Sequence, residues 1–327
     1  MATYKGIQGF TIQNLSADPS NPIEGQVWYN STSNVWKVEE ITASGSWATG
    51  NNLNTAREAV AGAGTQTAGL AIGGQVPPIT PVGATEEYDG TSWVTSPGSL
   101  NTVRRSLGGA GTQTAAVGFG GWTGTASTGA TEEYGGVSWV TVNSMNTARV
   151  DLAGAGIQTA ALAFGGYPGS PPLLNATEEY DGTSWVTSPG SLNTARRGLA
   201  GAGIQTAALA FGGQPPTTAA TEEYNGSAWT SVNSMNTARF ALAGAGTQTA
   251  TLAFGGDVPP VTGATEEYDG TSWTTSPGSL NTARGYFAGA GIQTAGLGFG
   301  GNTGSPTAAT EEWTGAGVAL TKTITVS

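Results

Sequence analysis

The sequence predicts an all-β repeat protein whose unit is four short strands. Three observations predict it. One stretch is written six times, glycine recurs inside every copy, and β-branched or aromatic residues mark the segments between turns. "NTARRGLAGAGIQTAALAFGG" fills residues 193–213, and close relatives of it begin at Asn54, Asn101, Asn146, Asn236 and Asn281. The spacings are 47, 45, 47, 43 and 45 residues. Periods of this size belong to solenoids and propellers, in which neighbouring units bury one another. Helix is disfavoured because each interior glycine costs about 1 kcal/mol relative to alanine.

Residues 1–46 stand outside the repeat. Within them, "GQVWYNSTSNVWKV" (25–38) reads as a β-hairpin with a polar turn between two Val-Trp pairs. The unit at 196–232 then gives the strands in order. "RRGLAGAGI" (196–204) is followed by a tight "QT" turn and "AALAFGG" (207–213). After a variable loop come "ATEEYNG" (220–226) and "SAWTSV" (227–232). In the second strand Leu209 and Phe211 face one way, and Ala208 and Ala210 the other. Such alternation of large and small suits a sheet covered on both faces. Gly201 and Gly203 suit a crowded strand. The pair Gly212-Gly213 frees the backbone where it leaves the second strand. "YDGTSW" reads as a turn, since Asp-Gly between two strands is a strong hairpin signal.

Composition narrows the function. The net charge of −11 argues against nucleic acid and against an anionic membrane surface. No run of 18 apolar residues is present, so no membrane insertion is expected. "MATYKGIQGF" lacks a basic and an apolar region, so it does not read as a signal peptide. The chain has neither cysteine nor histidine, which removes thiol chemistry, Ser-His-Asp catalysis and the commonest metal ligands.

Four strands per unit, with a Gly-Gly, then an acidic-aromatic pair, then a Trp, resemble the kelch repeat. The residues carrying the resemblance are Arg196, Gly212, Gly213, Glu223, Tyr224, Gly226 and Trp229, with equivalents across roughly residues 47–313. It implies a six-bladed kelch-like β-propeller of four-stranded blades over 47–327. The array also resembles those carried by virion proteins of marine bacteriophages. The N-terminal segment, "ATYKGIQGFTIQ" with the hairpin after it, resembles the N-terminal parts of their tail-fibre and other virion proteins.

The distance from Trp to the next Asn suggests how the ring closes. Seven residues follow Trp93, Trp185 and Trp273, and six follow Trp139 and Trp229. The genetic unit is thus a pair of blades. The sixth unit lacks a matching Trp after Trp313, whereas Trp47 precedes Asn54 by the six residues required. The strand around Trp47 is expected to complete the last blade. The alternative is that "ALTKTITVS" (319–327) completes it.

No enzymatic role, cofactor or metal is expected. The repeated "TEE" supplies twelve of the 22 acidic residues. Adjacent strand residues point to opposite faces, and equivalent copies offer no pair of distinct environments for acid–base work. One Glu per unit is expected to meet the repeated arginine: Arg57, Arg104, Arg149, Arg196, Arg239 or Arg284. The repeated Trp reads as packing between blades. Acids outside the repeat, among them Glu58, Asp151 and Asp257, show no spacing that suggests convergence.

The loop after each Gly-Gly differs in every copy, from "QVPPITPVGA" (75–84) to "NTGSPTAA" (302–309). All six leave the same strand end and should emerge on one face. The ligand-binding candidates are the first residues of these loops: Gln75, Trp122, Tyr167, Gln214, Asp257 and Asn302. Trp122 and Tyr167 are expected to be exposed anchors. Two readings stay open for the loops: a binding surface on a rigid scaffold, or drift without constraint. The expected function is a non-enzymatic phage virion protein, a tail fibre or surface appendage, that binds a host-surface glycan or protein. Residues 1–46 would attach it to other virion proteins, and homo-oligomers stay open. The alternatives are a decoration protein packed against other virion subunits without a receptor, and a propeller glycosidase. The expected location is the virion surface, after synthesis in the host cytoplasm.

Overall fold

A computed structural model describes residues 13–20, 25–41, 44–317 and 319–324. The chain divides into two compact units, Met1–Gly45 with Gly315–Ser327, and Ser46–Thr314. Every regular element among the described residues is a strand.

The first unit is one sheet in the order Gln13–Leu15, Val27–Asn30, Val35–Ile41, Ala319–Ile324. The hairpin expected over 25–38 is present, with Trp28 opposite Lys37 and Tyr29 opposite Trp36. Asp18 pins it. Its carboxylate accepts from Lys37 Nζ at 2.5 Å, Asn30 Nδ2 at 2.8 Å and Trp28 Nε1 at 3.0 Å. These donors, Lys37 foremost, hold Asp18 down at about 2. The "ATYKGIQGFTI" part of the phage resemblance lies outside the described residues.

The second unit holds six four-stranded antiparallel sheets. Sheet I comprises Ala61–Thr65, Ala68–Ile72, Thr85–Tyr88 and Trp93–Thr95. Sheet II comprises Gly108–Gly111, Ala116–Phe119, Thr131–Tyr134 and Trp139–Val142. Sheet III has Ala153–Ile157, Ala160–Phe164, Thr177–Tyr180 and Trp185–Thr187. Sheet IV has Ala200–Ile204, Ala207–Phe211, Thr221–Tyr224 and Trp229–Val232. Sheet V has Ala243–Thr247, Ala250–Phe254, Thr265–Tyr268 and Trp273–Ser276. Sheet VI has Ala288–Ile292, Ala295–Phe299 and Thr310–Thr314, and its outer strand is Ser46–Gly50. There Trp47 stands opposite Trp313. With that edge filled, Ala319–Ile324 pairs with Val35–Ile41 instead, so the array unit stops at Thr314 where the sequence reading ran to 327.

The first strand of sheet IV starts at Ala200, four residues later than the sequence suggested. Gly198 adopts φ +62° and breaks the extended run. Inner strands approach closely. A Cβ on Gly201 would lie 2.7 Å from the Gly154 carbonyl oxygen and 2.7 Å from the Phe164 ring. Leu209 and Phe211 pack toward sheet V with Trp273, while Ala208 and Ala210 pack toward sheet III with Phe164.

Three polar contacts recur between sheets. The Trp indole donates to a buried threonine hydroxyl of its neighbour: Trp139 to Thr85 at 2.8 Å, Trp47 to Thr265 at 2.9 Å, and Trp93 to Thr310 at 2.9 Å. The turn glutamine donates to neighbouring carbonyls, as from Gln113 to Tyr88 and from Gln66 to Trp313, both at 2.7 Å. The tyrosine after "TEE" donates to the second glutamate of the neighbour, Tyr180 to Glu133 at 2.9 Å and likewise Tyr88 to Glu312. Burial and that carboxylate push these phenols up, to about 12 for Tyr134 and Tyr224. Sheet VI carries Trp313 at this position.

The first glutamate of each "TEE" turns inward. Arg57–Glu86, Arg104–Glu132, Arg149–Glu178, Arg196–Glu222, Arg239–Glu266 and Arg284–Glu311 are buried ion pairs, each within one sheet's unit. Each carboxylate also caps the start of its repeat, as Glu222 does for the Asn193 amide at 2.7 Å. Burial pulls most of these guanidiniums below their ordinary value, Arg104 to about 10.

Candidate binding face

Each Gly-Gly ends a second strand in the left-handed region. Gly212 and Gly213 have φ of +67° and +111°. A Cβ on Gly212 would meet the Arg239 carbonyl at 2.6 Å. The second glycine's amide donates to the carbonyl of the next sheet's buried arginine, from Gly213 to Arg239 at 2.9 Å and from Gly301 to Arg57 at 2.9 Å.

The chain after Gly-Gly pairs with the segment entering its own sheet. The bridges are Glu58–Gln75, Arg105–Trp122, Val150–Tyr167, Arg197–Gln214, Phe240–Asp257 and Gly285–Asn302. All six candidate residues therefore hold one equivalent backbone position. The next residues of the entry segments are Ala59, Ser106, Asp151, Gly198, Ala241 and Tyr286, all with positive φ. Their backbones bond in series. Ser106 N donates to Ala59 O at 2.8 Å, Asp151 to Ser106 at 3.1 Å and Gly198 to Asp151 at 2.8 Å. Ala241 N donates to Gly198 O at 2.7 Å, Tyr286 to Ala241 at 2.9 Å and Ala59 to Tyr286 at 2.7 Å. This series gathers the six loop starts at one end of the sheets.

The side chains differ from the expectation of free anchors. Trp122 and Tyr167 are half-buried. Tyr167 lies beneath the Arg197 guanidinium, 5.2 Å from ring centroid to Cζ, and Arg197 reaches Asp151 at 3.8 Å. Gln75 is buried because its carboxamide donates to Glu58, which also accepts from Asn302. Gln214 and Asp257 are half-exposed, and Asp257 makes a second bridge to Val261.

Sequence reasoning missed the entry segments. Tyr286 stands edge-to-face to Phe240 at 6.2 Å. Its phenol is pushed up first by burial, then by the carboxylates of Asp151, Asp257 and Glu58, with Arg197 opposing. Three acids that seemed unrelated thus converge electrically on one aromatic ring. The only signal available was irregularity: the residue after each buried arginine reads Glu, Arg, Val, Arg, Phe and Gly around the repeats.

The fold and site define an all-β repeat protein with a variable loop surface on an invariant frame. No protein-family model matches the sequence, and no curated protein matches it.

Proposed function

We propose that the six sheets are blades of a closed six-bladed β-propeller serving as a non-enzymatic binding protein of a bacteriophage virion. Its loop face takes a host-surface glycan or protein, and residues 1–46 join it to other virion proteins. Closure is supported by the contacts that run from sheet VI back to sheet I. Trp93 bonds Thr310, Gln66 bonds the Trp313 carbonyl, and Ala59 bonds Tyr286, as at every other boundary. Strand exchange is supported by Asn51, whose carboxamide donates to the Thr91 carbonyl as Asn143 does to Thr183 and Asn233 to Thr271. The phage assignment rests on the resemblance of the array and of the N-terminal segment.

One observation carries the binding role. Six loop starts share one backbone position while their side chains and lengths differ, and rigid frames with variable loops are where recognition concentrates. Half-burial of Trp122 and Tyr167 lowers the entropy lost on binding. Particles carrying Trp122→Ala with Tyr167→Ala should adsorb to host cells several-fold more weakly than the parent. Unchanged adsorption, with the chain in place on the particle, sinks this face as the receptor surface. Labelling of the chain inside a closed lattice, with the loops covered, would favour the decoration role.

A further inference from the structure

The array unit Ser46–Thr314 contains eight arginines, no lysine and eighteen carboxylates. Six arginines are consumed in the buried pairs. The remaining two, Arg105 and Arg197, occupy the same position in different repeats, directly after the buried arginine, and both lie on the loop face. Arg197 is engaged by Asp151 and the Tyr167 ring. Among the described residues Arg105 makes no ion pair and no side-chain hydrogen bond, and its Nε is buried without a partner.

The surroundings of Arg105 share that trait. Trp122 bridges Arg105 on one side and Ser127 on the other, both antiparallel. Directly opposed residues on such strands project to the same side with Cβ atoms about 5 Å apart. Arg105, Trp122 and Ser127 therefore form a row with the indole in the middle. The Ser127 hydroxyl oxygen is also buried without a partner. Unpaired buried donors are rare because they forfeit their water without replacement. The orphaned Nε recurs in Arg57, Arg104, Arg196, Arg239 and Arg284, so what sets Arg105 apart is a guanidinium without a carboxylate, beside an indole and an unpartnered Ser127 hydroxyl.

We propose that Arg105, Trp122 and Ser127 form a subsite for an acidic sugar. The guanidinium clamps a carboxylate or sulfate, the Ser127 hydroxyl donates to it, and the indole supports the apolar face of the ring. This rests on the loop face being the binding surface. General polyanion adsorption is opposed by the net charge of −11, so an acidic ligand that binds at all reports a built site.

The test titrates the full-length chain with alginate oligosaccharides, sulfated carrageenan oligosaccharides and neutral laminarin oligosaccharides. Binding to either acidic series and not to laminarin is expected, and the two acidic arms tell carboxylate from sulfate. Arg105→Gln should weaken that binding about tenfold or more, since charge-assisted hydrogen bonds are lost. Ser127→Ala should weaken it less. Arg105 supports no partner in the fold, so an unchanged thermal midpoint is expected for Arg105→Gln. If that midpoint drops, Trp122→Ala and Ser127→Ala carry the comparison instead. Acidic binding that survives both Arg105→Gln and Ser127→Ala overturns the subsite. Failure of the parent chain to bind any acidic series, while Trp122→Ala with Tyr167→Ala still cuts cell adsorption, overturns the acidic sugar and leaves the loop face standing. Insensitivity of adsorption to all these changes overturns both.

Discussion

Trp47→Ala is the sharpest probe of the proposed ring, because Trp47 belongs by position to the start of the chain and by packing to its end. The residue is 7% exposed, with its ring 4.8 Å from Phe254 and 5.4 Å from Trp313. Removing a buried Trp side chain costs about 3–5 kcal/mol in lost transfer energy and cavity formation. The fully buried Thr265 hydroxyl then loses its indole donor, which adds about 1 kcal/mol. A total near 5 kcal/mol is roughly half the stability of an ordinary domain. The unit spans Ser46–Thr314. At about 2 cal/mol/K of unfolding entropy per residue, that loss lowers the midpoint by about 9 °C. Circular dichroism melts of the parent, Trp47→Ala and Trp139→Ala would measure it. Trp139 donates to Thr85 in the same way inside the array, so the two variants should fall together. A shift under about 2 °C for Trp47→Ala beside a full shift for Trp139→Ala would refute the strand exchange.

Alkaline pH should loosen the sheet boundaries. The boundary tyrosines have raised values, about 12 for Tyr134 and Tyr224, against about 10 unfolded. The folded chain therefore keeps protons that the unfolded chain releases, and the stability they contribute is whole below pH 10 and lost as pH rises through 12. Urea midpoints that stay level from pH 8 to pH 11.5 would contradict this. Arg239→Met should cost about 3–5 kcal/mol by stranding Glu266 in the interior, and the double variant Arg239→Met with Glu266→Gln should recover part of it. A double variant no better than the single one would show that the charge was not the source of the loss. Gly201→Ala should destabilise by about 1–3 kcal/mol through overpacking against Gly154 and Phe164. Gly135→Ala, where nothing lies within 4 Å of the added methyl, should be near neutral, and equal effects would reject the close-approach argument.

Much of the frame was legible because it is periodic. The four-strand unit, the alternation of Leu209 and Phe211 against Ala208 and Ala210, and the spacing of Trp47 all follow from counting along one chain. The division of labour within "TEE" was only half legible. Alternation says the two glutamates part company, and the arginine names a partner for one. The partner of the other is a tyrosine in the next repeat, and no local pattern says which neighbour supplies it. The binding face was legible in its backbone and opaque in its side chains. Gln75 reads as a polar loop residue, yet Glu58 and Asn302 draw it into the interior. Arg105 and Arg197 are indistinguishable as "RR" in sequence. Only Asp151 and Tyr167, brought in from another repeat, make one engaged and leave the other free.

The series of amide-to-carbonyl bonds through Ala59, Ser106, Asp151, Gly198, Ala241 and Tyr286 is indifferent to what those residues carry. Its demand is for a backbone held at positive φ, which disfavours β-branched and bulky residues most and favours glycine, asparagine and aspartate. Stability and recognition are thereby uncoupled at this end of the molecule. A lineage can change these six side chains and the six loops within that backbone limit while the amide-to-carbonyl bonds stay in place. An engineer could graft a new specificity there by the same route.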